Sequence, residues 1–134
     1  MTTGRSVSAY GALDVLAMSP AQRVVFLYTQ LMASLTRARR CLATDDVEGR
    51  SETLCRAQAI VQELLLSLNR EVGGELGDRL AALYGYFAAE IIAIDSQRDP
   101  ARLARLVTMV SPLLEAWEHA AREVEPRRSE AASA

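Results

Sequence analysis

Four stretches of this 134-residue chain carry apolar side chains at alternating spacings of three and four residues, and short breaks separate the stretches. Such spacing places the apolar side chains of each stretch on one side of an α-helix. Each stretch would form roughly 27 to 37 Å of helix. Because the breaks are short, consecutive helices must run antiparallel. The sequence therefore predicts an all-α fold, an antiparallel up-down four-helix bundle with slightly tilted, left-handed packing.

The first helix has the clearest start signal. Ser19 is a good N-cap, Pro20 suits the first helical position, and Gln22 can close a capping box with Ser19. The helix is predicted from Pro20 to Ala43. Its stripe includes a tyrosine where leucine would be simpler and consists of Val24, Tyr28, Leu31, Leu35, Ala38 and Leu42.

Turn-forming residues separate the other three helices. Thr44-Asp45-Asp46 connects the first helix to the second, and Asp45 is the predicted N-cap. Gly73-Gly74 ends the second helix, the third begins near Leu76, and Asp99-Pro100 opens the fourth. The stripes of these helices are Leu54, Ala57, Val61, Leu64, Leu65 and Leu68; Leu80, Leu83, Phe87, Ile91 and Ile94; and Leu103, Leu106, Val110, Leu113, Trp117 and Val124.

The bundle is predicted over residues 19–124, with the two ends of the chain outside it. Residues 1–18 mix apolar side chains with glycines and small residues, which predicts a short N-terminal helix or a mobile arm. Residues 125–134 are predicted to be a disordered tail. Pro112 interrupts the fourth helix and is expected to kink it, because proline removes one backbone donor.

Charge and hydropathy exclude several classes of protein. The net charge is −2 and the isoelectric point is near 5.4, whereas a nucleic-acid-binding domain normally has a basic face. No apolar run reaches the roughly 18 residues of a membrane span, so we expect a cytoplasmic protein without membrane insertion. Cys41 and Cys55 fall at different heights on neighbouring helices, which predicts two buried free thiols and no disulfide.

The sequence also lacks the residue patterns of a metal, cofactor or catalytic site. Its only histidine, His119, follows Glu115 and Glu118 without the Glu-x-x-His spacing of di-iron bundles. We therefore predict no cofactor and no enzymatic activity. The enzyme alternative would be an all-helical active site lined by arginines, which solvated helix faces explain better; its arginines would be Arg39, Arg40, Arg56 and Arg79.

The helices carry more apolar residues than one core face requires. In the first helix, Val25, Phe26, Leu27 and Met32 lie beside the main stripe. In the second and third helices, runs of apolar residues widen the stripe: Ile60, Leu64-Leu65-Leu66 and Leu68, and Leu83-Tyr84, Tyr86-Phe87 and Ile91-Ile92. One interpretation is a crowded core or a homodimer face. The other is a groove that takes in amphipathic segments of a different chain. The residues alone leave both interpretations open.

In their order and spacing, these features resemble the FliS family of flagellar secretion chaperones, from Tyr10 to about Arg122. The matching residues are Tyr10 and Ser19-Pro20-x-Gln22-x-Val-Val-x-Leu-Tyr28; Arg56-Ala57-Gln58-x-Ile60 with Leu64, Leu68 and Asn69; Gly73-Gly74, Leu80 and Leu83-Tyr84-x-Tyr86; and Asp99, Leu113 and Trp117. The chain departs from the family pattern at Leu13-Asp14, at Met18, at Gln22, where the family usually has glutamate, and at Gly85.

The resemblance implies a cytoplasmic chaperone that binds the disordered C-terminal segment of flagellin, prevents premature polymerisation and keeps flagellin competent for export. Export-gate components are further candidate partners. A segment that folds as it binds loses conformational entropy, so its affinity must come from broad apolar burial. The alternatives are a helical dimerisation or adaptor module without flagellin binding, and the arginine-lined enzyme. Both a monomer and a homodimer are compatible with the sequence.

The resemblance, combined with the stripes, also suggests which residues touch flagellin. We expect a groove formed by Tyr28, Leu31, Leu35, Leu64, Leu68, Tyr84, Ile91 and Ile94. Tyr10 and Leu13 are expected to form an N-terminal lid over this groove when it is empty.

Overall fold

The computed structural model describes residues 18–133, except for the side chains of residues 69–71 and 124–133. It contains four helices: α1 (Pro20–Ala43), α2 (Val47–Glu71), α3 (Gly74–Gln97) and α4 (Pro100–Ser133). Each helix packs on the next one in the chain, and α4 packs back on α1, so the helices form a closed ring. The predicted all-α, antiparallel up-down bundle is confirmed, and the described residues contain no strand.

The bundle has two different ends. One end, here called the turn end, carries the α1–α2 turn and the α3–α4 turn. The opposite end, here called the terminal end, carries the start of α1, the α2–α3 connection and the later part of α4. This geometry follows from the antiparallel order of four helices joined by short connections.

The start of α1 is confirmed in detail. The backbone N–H of Gln22 donates to Ser19 Oγ at 3.2 Å, and the backbone N–H of Ser19 donates to Gln22 Oε1 at 2.9 Å. These reciprocal bonds form the predicted capping box, with Pro20 at the first helical position. The predicted bounds of α1, Pro20 to Ala43, agree with the structure.

The cap predicted for α2 is wrong by one residue. Asp46 is the N-cap, because its Oδ1 accepts from the backbone N–H of Gly49 at 3.0 Å. Asp45 instead has a φ of 57° and reverses the chain, a conformation that aspartate tolerates better than most residues. The predicted cap of α4 is confirmed: Asp99 Oδ1 accepts from the backbone N–H groups of Ala101 and Arg102.

Helix α4 is longer than expected. It continues through residues 125–133, where the sequence analysis expected a disordered tail, and it runs without interruption through Pro112. Its last turns contain good helix formers, which favour continuation beyond Pro126: Arg127, Arg128, Glu130, Ala131 and Ala132. The predicted arm at residues 1–18 lies outside the described residues except for Met18.

The predicted stripes form the core. Every helix contributes side chains that are at most 8% exposed, and the cluster includes Tyr28, Phe87 and Leu103 at 0%. Both cysteines are free thiols and Cys41 is buried, but the predicted burial of Cys55 is wrong, because its position on α2 faces away from the core and is exposed. None of the helices described between residues 18 and 133 has both the length and the apolar character required to cross a membrane.

Candidate functional site

The structure places all eight predicted groove residues inside the bundle. Their exposed fractions range from 0% to 6%, and none offers a surface to a partner in this conformation; the residues are Tyr28, Leu31, Leu35, Leu64, Leu68, Tyr84, Ile91 and Ile94. Contact of these residues with flagellin stays a prediction, and in this structure they form the bundle core. The physical reason is that positions with the most regular spacing of three and four are the ones that face the bundle axis.

The accessible apolar residues lie beside the stripes instead. An open groove of about 590 Å³ runs between the first turns of α1 and the later part of α4, at the terminal end. We call it the terminal groove. Its apolar lining is Met18, Val25, Phe26 and Ala121, and its polar lining is Gln22, Thr29, Glu118 and Arg122.

The α1 wall of the terminal groove is held by the helix cap. Gln22 lines the groove while its side chain accepts from the Ser19 backbone, so this residue is committed to one rotamer. Arg23 Nη1 donates to the carbonyl of Met18 at 3.0 Å, which fixes the approach of the chain to α1. Phe26 and Val25 are only half-buried, although both are large apolar residues. A preorganised apolar surface therefore faces solvent at this end.

A second apolar surface lies along the seam between α3 and α4, on the other side of α4. Glu90 pairs with Arg102 across this seam at 3.0 Å. Leu83 and Tyr86 lie seven and four residues before Glu90, and Met109 lies seven residues after Arg102, so helical periodicity places all three on the same seam. Tyr86 is 46% exposed and Met109 is 37% exposed. We call this surface the α3–α4 seam.

The two surfaces flank a hydrogen-bonded aromatic cluster. The hydroxyl of Tyr28 donates to the hydroxyl of Tyr84 at 2.9 Å, and their ring centroids are 6.2 Å apart. The indole of Trp117 lies 6.5 Å from the Tyr28 ring. Burial raises the pKa of Tyr28 and of Tyr84 above the usual value near 10. Both phenols therefore stay neutral at physiological pH, where their hydroxyls can pair inside the core.

Two further cavities are less suitable for an amphipathic partner. A pocket of about 410 Å³ at the α2–α3 connection is lined by Leu65, Leu66 and three glycines. A larger groove of about 910 Å³ at the turn end is lined mainly by charged and polar residues, including Arg37, Glu52 and Arg56. An apolar helix face laid on this groove would have to desolvate several charged side chains, which costs free energy unless each is paired.

The arginines of the enzyme alternative do not form one site. Arg39 and Arg40 lie near the end of α1 at the turn end, whereas Arg79 lies near the start of α3 and pairs with Glu75 at 2.7 Å. His119 is exposed and pairs with Glu123. Within the described part of the chain, no cluster of histidine, cysteine and acidic side chains could hold a metal ion.

The predicted lid cannot be located, because Tyr10 and Leu13 lie outside the described residues. The residues that sequence reasoning did not select are those beside the stripes, above all Val25, Phe26 and Tyr86. In the sequence, these residues belong to the apolar excess. That excess does not distinguish residues that stay accessible from residues of the core.

The chain is similar to proteins of a described family. The model of a family described as flagellar protein FliS matches residues 4–124. The flagellar secretion chaperone FliS of Bacillus subtilis (strain 168) is 29% identical over 113 residues, which cover 84% of this chain and 84% of that protein. The flagellar secretion chaperone FliS of Salmonella typhimurium is 28% identical over 134 residues and covers 96% of each chain.

A solved structure supports the fold independently. It is described as the crystal structure of a flagellar chaperone from bacteria, and it superposes with a TM-score of 0.73 at 21% identity. The match covers 90% of this chain and 98% of that one.

Proposed function

This chain belongs to the FliS family of flagellar secretion chaperones, and we propose that it holds the disordered C-terminal segment of flagellin in the cytoplasm until export. Binding would hide the surface through which flagellin polymerises and keep it competent for export. Family membership supports a chaperone, and we propose that the chain has no enzymatic activity.

One observation carries the location of the binding site: the terminal groove is apolar, open and held in shape by the cap of α1. We propose that an amphipathic helix of the flagellin segment lays its apolar face against Val25 and Phe26. Gln22, Thr29, Glu118 and Arg122 at the rim would hydrogen-bond to the polar flank of that helix.

The expected affinity sets the size of the contact. Micromolar binding corresponds to about 8 kcal/mol, and ordering a disordered segment costs a further ~2 to 5 kcal/mol. At about 25 cal/mol per Å² of apolar area, the complex must bury on the order of 400 to 500 Å² of apolar surface or more. The terminal groove is short and can contact only a small part of a helical segment. We therefore propose that the segment continues around α4 onto Tyr86 and Met109 of the α3–α4 seam.

Calorimetric titration of the full chain with a peptide from the C-terminal segment of the flagellin of the same genome tests this proposal. We expect one-to-one binding with a clearly negative heat-capacity change, because apolar surface is buried. Absence of binding heat at every temperature tested would contradict flagellin binding and leave the adaptor interpretation. Sedimentation of the free chain would then show whether the apolar surfaces pair two copies.

A matched pair of variants tests the location. Phe26→Asp puts a charge into the terminal groove and is expected to weaken peptide binding at least ~tenfold, since an unpaired carboxylate would be desolvated. Ile92→Asp is the control: Ile92 is 63% exposed and lies one turn beyond Ala88, on the side of α3 that faces α2. Equal binding by the Phe26→Asp variant and the original chain would exclude the groove.

A further inference from the structure

The outer surface formed by α2 and α3 lies on the side of the bundle opposite the terminal groove. The helices pack in a ring, so the α2–α3 pair is across the bundle from the α1–α4 pair that lines that groove. Gln58 Nε2 of α2 donates to the carbonyl of Ala88 of α3 at 2.8 Å, which marks where these helices face each other. Helical periodicity from this contact identifies the exposed residues beside it. We call them the α2–α3 face: Cys55, Gln62, Leu66, Ala81, Gly85 and Ile92.

The α2–α3 face combines large exposed apolar side chains with an absence of charge. Leu66 is 53% exposed and Ile92 is 63% exposed. Between Arg79 and Asp95, α3 has a single charged residue, Glu90, which turns to α4 and forms an ion pair there. Two copies of one chain carry identical charges, so they associate most readily where no like charges meet. The α2–α3 face meets this condition.

The face is also complementary to itself in shape. At the terminal end it contains the hollow of about 410 Å³ at the α2–α3 connection, which Leu66 and Ala81 help to line. Ile92 follows Ala81 on the same helix and lies about 16 Å farther toward the turn end. A two-fold axis perpendicular to the helices reverses their direction in the second copy. It therefore places the Ile92 side chain of each copy over the hollow of the other.

The area of the α2–α3 pair is close to what a stable dimer needs. The two helices have 25 and 24 residues. Helices of this length are about 36 Å long, and two side by side are about 20 Å wide, so they present on the order of 700 Å². A standard interface buries about 800 Å² on each partner. A second copy matches this area, whereas a single helix laid on the face would cover about half of it.

We propose that the α2–α3 face pairs two copies of this chain about a two-fold axis perpendicular to the helices. The Ile92 side chain of each copy fills the hollow beside Leu66 and Ala81 of the other. Because the terminal groove lies on the opposite side of each bundle, both grooves stay open in the pair. Pairing therefore neither requires flagellin nor blocks it, and the pair has two independent sites for cargo.

Sedimentation velocity of the full chain across a wide range of concentration tests the pairing. We expect a reversible shift from one copy to two. Ile92→Asp is expected to weaken self-association at least ~tenfold, because pairing would bury an unpaired carboxylate. Met109→Asp is the matched control, since Met109 is an exposed apolar residue of α4 outside this face, and it should pair as the original chain does. A chain that stays a single copy at every concentration overturns the proposal, as does equal pairing by Ile92→Asp and the original chain.

Cys55 reports whether the pairing uses this face. It is exposed, whereas Cys41 is buried, so a thiol reagent reacts first with Cys55. The rate constant of that reaction is expected to fall several-fold as the concentration of the chain rises, because the second copy covers Cys55. In the Ile92→Asp variant it should stay constant. Pairing of the original chain with an unchanged rate constant at Cys55 overturns the assignment to the α2–α3 face.

Titration of the paired chain with the flagellin peptide separates this proposal from the proposed function. We expect each copy to bind peptide while the two copies stay together. Dissociation of the pair by the peptide would make flagellin the occupant of the α2–α3 face and overturn the proposal. Absence of peptide binding by a chain that still pairs would support the pairing and contradict the proposed function alone.

Discussion

At the turn end, charged side chains tie the helices together, whereas at the terminal end aromatic and aliphatic side chains meet solvent. Arg50 pairs with Asp95 at 3.0 Å between α2 and α3, and Arg102 pairs with Glu90 at 3.0 Å between α3 and α4. The terminal end has instead the terminal groove and the Tyr28–Tyr84 hydrogen bond. We infer from this difference that the two ends have different roles. Ion pairs between helices stabilise the fold at the turn end, whereas the terminal end keeps an apolar surface available to the proposed partner.

The largest effect on stability should come from apolar residues of α4, because this one helix has such residues near both ends of the bundle. Leu103→Ala is expected to lower the free energy of unfolding by about 2 to 5 kcal/mol, because Leu103 is fully buried near the turn end. Leu113→Ala, toward the terminal end, should cost clearly less because Leu113 is only partly buried. Urea unfolding of both variants measures the difference. Equal losses would show that the two ends contribute alike to stability.

Breaking the ion pair of the turn end should have the next largest effect. Glu90→Ala removes the anionic partner of Arg102, which is 29% exposed and keeps a 2.7 Å hydrogen bond to Gln97, and is expected to cost about 1 to 3 kcal/mol. The matched control is Glu75→Ala, which removes an exposed pair with Arg79 and should cost at most about 0.5 kcal/mol. Thermal unfolding at low and moderate salt compares them. A loss from Glu75→Ala as large as that from Glu90→Ala would contradict the assigned role of the buried pair.

Alkaline pH should weaken the terminal end. The pKa values of Tyr28 and Tyr84 are raised in the folded chain by burial, whereas both ionise near 10 when the chain is unfolded. Stability from these groups is therefore constant below about pH 10 and falls above it, by up to ~1.4 kcal/mol per pH unit for each tyrosine. Unfolding experiments between about pH 8 and about pH 12 should show this fall in stability.

The matched control for the alkaline effect is a double variant. Tyr28→Phe combined with Tyr84→Phe removes both hydroxyls together, leaves neither unpaired, and should abolish most of the fall above pH 10, while Tyr86→Phe should keep it. If the fall in stability persists unchanged in the double variant, other ionisable groups cause it.

The smallest effects should come from two helical glycines. A methyl group on Gly49 would overlap the carboxylate of Asp46 and lie 2.9 Å from Cys41 Sγ, so Gly49→Ala is expected to destabilise the turn end by about 1 kcal/mol. Gly85 has no neighbour within 4 Å of such a methyl group, so Gly85→Ala should stabilise α3 by about 0.5 to 1 kcal/mol. Chemical unfolding of the pair checks the opposite signs; stabilisation by both would mean that the turn is less tightly packed than it appears.

The sequence predicted the fold more fully than the site. The capping box at Ser19 and Gln22 and the spacing of the stripes are local signals, so they predicted the bounds of α1 and most of the core. The binding surface depends on which apolar residues remain exposed after four helices have packed. Phe26 lies beside the stripe and Tyr28 within it, and only the packing of α4 against α1 separates the half-buried residue from the fully buried one.

The closing of the ring by α4 has a consequence for the order in which the chain folds. Packing of α1 on α2 and of α2 on α3 joins consecutive helices, whereas α4 packs on the helix farthest from it in sequence. Contacts between distant segments form more slowly than local ones, and during synthesis α1 to α3 emerge before α4 exists. The terminal groove has α1 as one wall and α4 as the other. It is therefore the last part of the molecule to form, and a nascent chain lacks this groove until its final helix has docked.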